Sequence, residues 1–157
     1  MQWQFDPALT RTIKAKGPRE AGQLLPRYAL LKNSDSWPRW SIFNSAVLER
    51  AGEGDPFGVG AVRSFATRTS KTTEEVTELI PDRQLSYVLL SGLPLRNYGA
   101  DVVLTPSVDG GTLVDWKASF QCAYGTGWFW RIFMNRILSD MAMRLAVAAE
   151  NAVPAGS

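Results

Sequence analysis

Histidine is absent from this 157-residue chain, and cysteine occurs once. Those two counts decide which chemistry remains. Without histidine there is no Ser-His-Asp or Cys-His machinery, no imidazole-bound metal and no histidine-held haem. The lone Cys122 allows no internal disulfide and no structural zinc site. It fits a reducing cytosol and reads as a small core filler, since no base is at hand to activate it. Acid–base work is left to Asp, Glu, Tyr, Lys and Arg. Glu74 draws notice because period-two spacing puts it on one strand face with Thr72 and Val76. On a concave apolar face its pKa would rise and it could act as acid or base. The plainer reading is preferred: an exposed strand charge, or a buried ion pair with Arg63 or Arg96. Tyr98 and Tyr87 could orient a ligand carbonyl by hydrogen bond. Arg63 reads first as a surface strand residue, although an apolar acid would need such an anchor. No catalytic role is assigned; Tyr98, Glu74 and Arg63 are the candidates.

Groups of this kind need a frame, and the last long apolar stretch supplies its main beam. Nothing between Trp128 and Ala152 is proline or glycine. At about 100° per residue, Trp130, Met134, Ile137, Leu138, Met141, Leu145 and Ala148 share one face, opposite Arg131, Asn135, Ser139 and Glu150. The spacing predicts an amphipathic helix of roughly 23 residues. So wide an apolar face requires a partner surface. Lying on a membrane surface through Trp128, Phe129 and Trp130 is the minor alternative, because the helix charges are few and of mixed sign.

The middle of the chain offers that surface. Strands are predicted over Ala8–Lys16, Ile42–Arg50, Val59–Thr69, Lys71–Ile80, Arg83–Ser91, Leu95–Pro106 and Thr112–Gln121. Turn signals separate them at Gly17-Pro18, Gly52–Pro56, Pro81-Asp82, Gly92-Leu93-Pro94 and Asp109-Gly110-Gly111. The last strand alternates most strictly, with Thr112, Val114, Trp116, Ala118 and Phe120 on one face. Tyr98, Ala100, Val102 and Leu104 agree in the strand before it. Such alternation means one covered and one wet face. Between the first two strands a short helix over Pro18–Leu31 and a helical turn over Ser36–Trp40 are expected. The fold class is α+β: a seven-stranded curved antiparallel sheet around a long C-terminal helix, with one or two short helices after the first strand. One domain spans residues 1–157, its core about 8–152, with Val153–Ser157 as a disordered tail.

Composition narrows the partners. The net charge is +2 with no dense basic run, so nucleic acid is not expected. No stretch reaches the roughly 18 apolar residues of a membrane span, and the N-terminus carries no secretory pattern. A cytoplasmic protein, monomer or homodimer, is the expectation. The Gly58–Gly60 glycines are not a phosphate loop, because a strand rather than a helix follows them.

Five segments stand out in order: Ser36-Trp37-Pro38-Arg39-Trp40; Gly58-Val59-Gly60-Ala61-Val62-Arg63; Glu74-Glu75-Val76 with Pro81; the Gly92–Tyr98 stretch; and Gly110-Gly111-Thr112 with Trp116. Together they resemble the turn after the first helix, a strand start and the later strands of the START-like, polyketide cyclase/dehydrase (SRPBCC) superfamily. The resemblance covers about Ala8 to Ala152 and implies the helix-grip fold, with a cavity between sheet and long helix. Phe65, Tyr87, Tyr98, Trp116, Phe120, Trp130, Met134, Ile137 and Met141 would then line it. Trp37 and Trp40 are read as pinning the short helices to the sheet edge. The implied function is binding of a hydrophobic small molecule: a lipid, polyketide or aromatic metabolite. Two alternatives stand beside it. One is an aromatase/cyclase or dehydratase using pocket Tyr, Arg or Glu; the other is a partner-binding or stress-response module with an exposed apolar patch. No cofactor or metal is implied.

Overall fold

A computed structural model describes the backbone of residues 3–15, 25–106 and 112–152, and the side chains of residues 28–106 and 112–149. The expected Gly17-Pro18 break, the start of the first helix, the Asp109-Gly110-Gly111 turn and the tail lie outside the described residues.

Seven strands form one antiparallel sheet: β1 (Trp3–Ala15), β2 (Ser45–Arg50), β3 (Val62–Ala66), β4 (Lys71–Ile80), β5 (Gln84–Ser91), β6 (Arg96–Pro106) and β7 (Thr112–Ala123). Their order is β1-β7-β6-β5-β4-β3-β2. Short connections make β2 to β7 a meander, and β1 adds beside β7, so the two edge strands are consecutive in sequence. The chain therefore crosses from one edge to the other. It does so through α1 (Leu25–Lys32), a 3₁₀ turn (Ser34–Ser36) and α2 (Trp37–Trp40). The helix α3 (Gly127–Ala152) lies on the covered face of the curved sheet, against β1, β7 and α1.

Periodicity explains most of this. Thr112, Val114, Trp116, Ala118, Phe120 and Cys122 of β7 are buried alternately, as are Tyr98, Ala100, Val102 and Leu104 of β6. Three strand starts differ from expectation by three or more residues. β1 starts at Trp3 rather than Ala8: pairing with β7 continues across Pro7, whose missing N–H falls where the register slips between Asp6 and Leu9. β2 starts at Ser45 rather than Ile42; Phe43 instead packs against Phe65, ring centroids 5.1 Å apart. β3 starts at Val62 rather than Val59, because Gly60 turns at φ 87° and donates its N–H to Val76 O at 2.8 Å. Gly92 is a second obligatory glycine. Its φ is 115°, and a Cβ there would lie 2.3 Å from Lys71 O, so the β5–β6 turn can close over the start of β4 only without a side chain.

The buried stripe of α3 is Met134, Leu138, Met141, Ala142, Leu145, Ala146 and Ala149. Trp130, Ile137 and Ala148 are half-buried at its border. The stripe is thus rotated from the expected face toward three alanines. Small side chains let the helix backbone approach its neighbours, which a purely apolar pattern does not reveal.

Candidate functional site

Arg63 and Glu74 face each other across the β3–β4 pair, directly in register. Both are almost fully buried. Arg63 donates from Nε and Nη2 to Glu74 Oε1, at 2.8 and 2.6 Å. Its Nη1 donates to Leu31 O at 3.0 Å, satisfying a carbonyl in the last turn of α1. Trp37 Nε1 donates to the same oxygen at 3.1 Å. The Trp37 ring covers the guanidinium, 4.9 Å from its carbon to the ring centroid, and stacks on Phe65 at 4.4 Å. Of the two earlier readings of Glu74, the structure shows the buried ion pair with Arg63, and Arg63 is a core residue rather than a surface one. Both bonds land on Oε1, so Oε2 has no protein hydrogen bond among the described residues. Burial pushes the Glu74 carboxyl up from its ordinary pKa; the Arg63 charge and its hydrogen bonds pull the other way.

Next along the sheet stand Tyr87 on β5, Tyr98 on β6 and Trp116 on β7, all buried. Trp116 Nε1 donates to Tyr87 Oη at 3.2 Å. The Tyr98 and Tyr87 rings lie side by side, their centroids 6.5 Å apart. Burial, foremost, holds both phenols above their ordinary pKa, with the Glu74 charge adding to it. Both therefore stay protonated at neutral pH.

A cavity of about 180 Å³ opens between these residues and α3. Glu74, Tyr87, Tyr98 and Trp116 form its sheet wall, and Met134, Ile137, Leu138 and Met141 its helix wall. Trp37, Ile42, Phe43, Thr67, Leu89 and Leu93 complete the lining. Ser70 and Phe133 also line it and are exposed, so the mouth lies at these two residues.

Six of the nine residues expected to line a cavity do so: Tyr87, Tyr98, Trp116, Met134, Ile137 and Met141. The other three sit behind or beside the wall. Phe65 lies under Trp37; Phe120 stacks on Tyr98 at 6.1 Å; Trp130 packs edge-on against Phe133 at 5.6 Å. Leu89 was missed although it continues the period of Leu85 and Tyr87 along β5. Trp37, Ile42 and Phe43 come from irregular chain, where no periodicity points anywhere. Trp37 is a wall residue as well as a pin for α2.

A family model described as "polyketide cyclase / dehydrase and lipid transport" matches residues 28–150. The chain belongs to this family. Solved structures agree on the START-like, helix-grip fold. A START superfamily protein from Mycobacterium smegmatis is 12% identical, with a TM-score of 0.75 over 93% of this chain and 99% of that one. A protein from Thermobifida fusca is 20% identical, with a TM-score of 0.74 over 92% and 93%. The protein XoxI from Bacillus cereus is 20% identical, with a TM-score of 0.70 over 90% and 94%. At these identities the likeness shows the fold alone. No curated protein matches the chain.

Proposed function

We propose that this member of the family binds a small, neutral, mostly apolar molecule carrying a hydroxyl group. The observation that carries the reading is a void of about 180 Å³ whose only ionisable wall groups among the described residues are Glu74 and two protonated tyrosines. Its size limits the ligand. A dry cavity of about 150 Å³ holds benzene, so one or two rings, or a short acyl chain, fit here without rearrangement. The polar groups set its chemistry. Trp116 fills an acceptor position of Tyr87 Oη, and the two protonated phenols supply O–H donors at the cavity wall. Among the described residues, Glu74 Oε2 is an acceptor without a protein donor. A hydroxyl answers both, since it donates and accepts. A ligand carboxylate would meet the Glu74 charge with no cation facing it, because Arg63 is spent on Glu74 and Leu31. The same fact disfavours the cyclase reading, which asks an arginine to polarise substrate carbonyls.

Isothermal titration with para-propylphenol and with para-ethylbenzoate tests this. The phenol is expected to bind, and the carboxylate about tenfold more weakly or not at all. Equal binding of the two, or binding of neither by protein stripped of co-purified molecules, overturns the reading.

A further inference from the structure

Six exposed residues of α3 fall on one line: Phe129, Phe133, Arg136, Asp140, Met143 and Val147. Their spacing alternates four and three residues, as along the seam of a two-helix pairing. At about 100° per residue the line points straight away from the buried stripe of Met134, Leu138, Met141 and Leu145. It runs about 27 Å along the helix. Its apolar members stand in the open: Phe129 is 47% exposed, Phe133 38%, Met143 54% and Val147 51%. The first two stack on each other, centroids 5.8 Å apart, as a ridge beside the cavity mouth. The outward face of a surface helix is ordinarily polar, so this one calls for a partner.

The order of the six residues says which partner. Read from either end towards the middle, the line is apolar, apolar, charged, and the two charges are opposite. A second copy laid antiparallel about the midpoint near Leu138 brings Phe129 beside Val147, Phe133 beside Met143 and Arg136 beside Asp140, each contact made twice. A parallel copy would set Arg136 on Arg136 and Asp140 on Asp140, which repel. The charges are ready for the antiparallel exchange. Asp140 accepts from Arg144 Nε through Oδ2 at 2.8 Å, and its Oδ1 has no hydrogen bond among the described residues. Asp140 is held by the cation four residues after it, the favoured order on a helix. Arg136, four residues before it, has no ion pair or side-chain hydrogen bond among the described residues.

The seam also has a socket. Between α3 and α2 lies an open groove of about 290 Å³, lined by Arg39, Trp40, Met143, Arg144, Val147 and Ala148. An antiparallel copy presents its Phe129 and Phe133 at the height of Val147 and Met143, beside this groove. An indole and two guanidinium groups suit an aromatic ring. A bilayer fits less well, because Arg136 and Asp140 interrupt the apolar line at its centre and would have to enter the lipid.

We propose that α3 pairs antiparallel with α3 of a second copy along this seam, with Arg136 meeting Asp140 at the centre and each Phe129–Phe133 ridge seated in the other copy's α2–α3 groove. The contact is small, so the dimer is reversible and forms at concentrations on the order of 10 μM. Phe133 borders the cavity mouth, so the dimer covers that side of it.

The experiment is sedimentation of the full chain over a concentration series, in which monomer is expected to pass into dimer. Arg136→Asp and Asp140→Arg should each weaken the dimer about tenfold or more. Mixed in equal amounts the two variants should dimerise together, since one copy then carries two acids at the seam and the other two bases. Phe133→Cys mixed with Met143→Cys should form a disulfide under mild oxidation that neither forms alone, which fixes the antiparallel register; Cys122 is buried and does not compete. All four positions are exposed, so thermal melts should stay near the parent's. A chain that stays monomeric at every concentration overturns the proposal. So does a dimer that neither charge reversal weakens, or a mixture of the two reversals that stays monomeric. A monomer that floats with anionic lipid vesicles also overturns it and would give the seam to a membrane. The mass readout needs no ligand, so its outcome is separate from whether the cavity takes a phenol.

Discussion

The two halves of α3 rest on different kinds of floor. Its first half, through Met134, Ile137, Leu138 and Met141, roofs a void walled by Trp37, Tyr87, Tyr98 and Trp116. Its second half is buried: Ala142, Leu145 and Ala146 belong to the core cluster that also holds Leu31, Leu104 and Val114, and Ala149 beyond them is fully buried. Alanines bring one end of the helix close. Methionines and large rings hold the other end off. Rings are stiff and pack at fixed distances, so they can leave space that flexible aliphatic chains would fill. One continuous helix thereby supplies both stability and a cavity, and the polar groups that would orient a ligand all lie in the hollow half.

That contrast can be broken by substitution. The largest effect is expected at the edge of the hollow half. Arg63→Ala leaves Glu74 buried without its cation and should cost about 3–5 kcal/mol in urea unfolding. Arg50→Ala, which removes an exposed pair with Glu75, should cost under about 1 kcal/mol. Similar costs for the two would mean that water reaches Glu74 and that the wall is not dry. Next comes Leu145→Ala in the packed half, expected to lose about 3 kcal/mol while leaving phenol affinity unchanged. Met141→Ala should lose roughly half as much, because its side chain already borders space, and should admit a bulkier phenol. If Met141→Ala proves the costlier of the two, the halves do not differ as described.

Alkali gives a smaller, sign-defined effect. The folded-state pKa values of Tyr87 and Tyr98 lie above the unfolded value of about 10. Their contribution to stability is therefore complete below pH of about 10 and is lost as pH rises through the folded values. Phenolate absorbance should show these two tyrosines ionising only as the protein unfolds. Ionisation of all four tyrosines in the folded state would place the pair in water. The smallest effect expected is that of Tyr98→Phe: about 1 kcal/mol, or fivefold, in phenol affinity, with little change in melting temperature. An unchanged affinity would remove Tyr98 from the ligand's contacts and leave the cavity otherwise intact.

Much of this architecture is readable without coordinates because it is periodic. Alternation along β6 and β7 names the residues of the covered face, and hairpin-length connections dictate antiparallel neighbours. The uninterrupted run after Trp128 can only be a helix needing a floor. Legibility stops where a side chain's surroundings come from distant chain. Glu74 could be seen to share a face with Val76, but whether it faced water, Arg63 or Arg96 depended on which strand lay opposite. Trp37 and Phe43 reach the cavity from irregular connections, and Phe65 is kept out of it by Trp37 stacking above.

The sequence by itself determined the strand count, the faces and the single long helix, because each follows from local spacing and from the need to cover apolar surface. Only the tertiary structure decided that a space remains between sheet and helix, that its one carboxylate is half-satisfied, and that an aromatic ridge stands uncovered at its mouth. Those three facts arise from distances between residues far apart in the chain, and no local pattern encodes a distance.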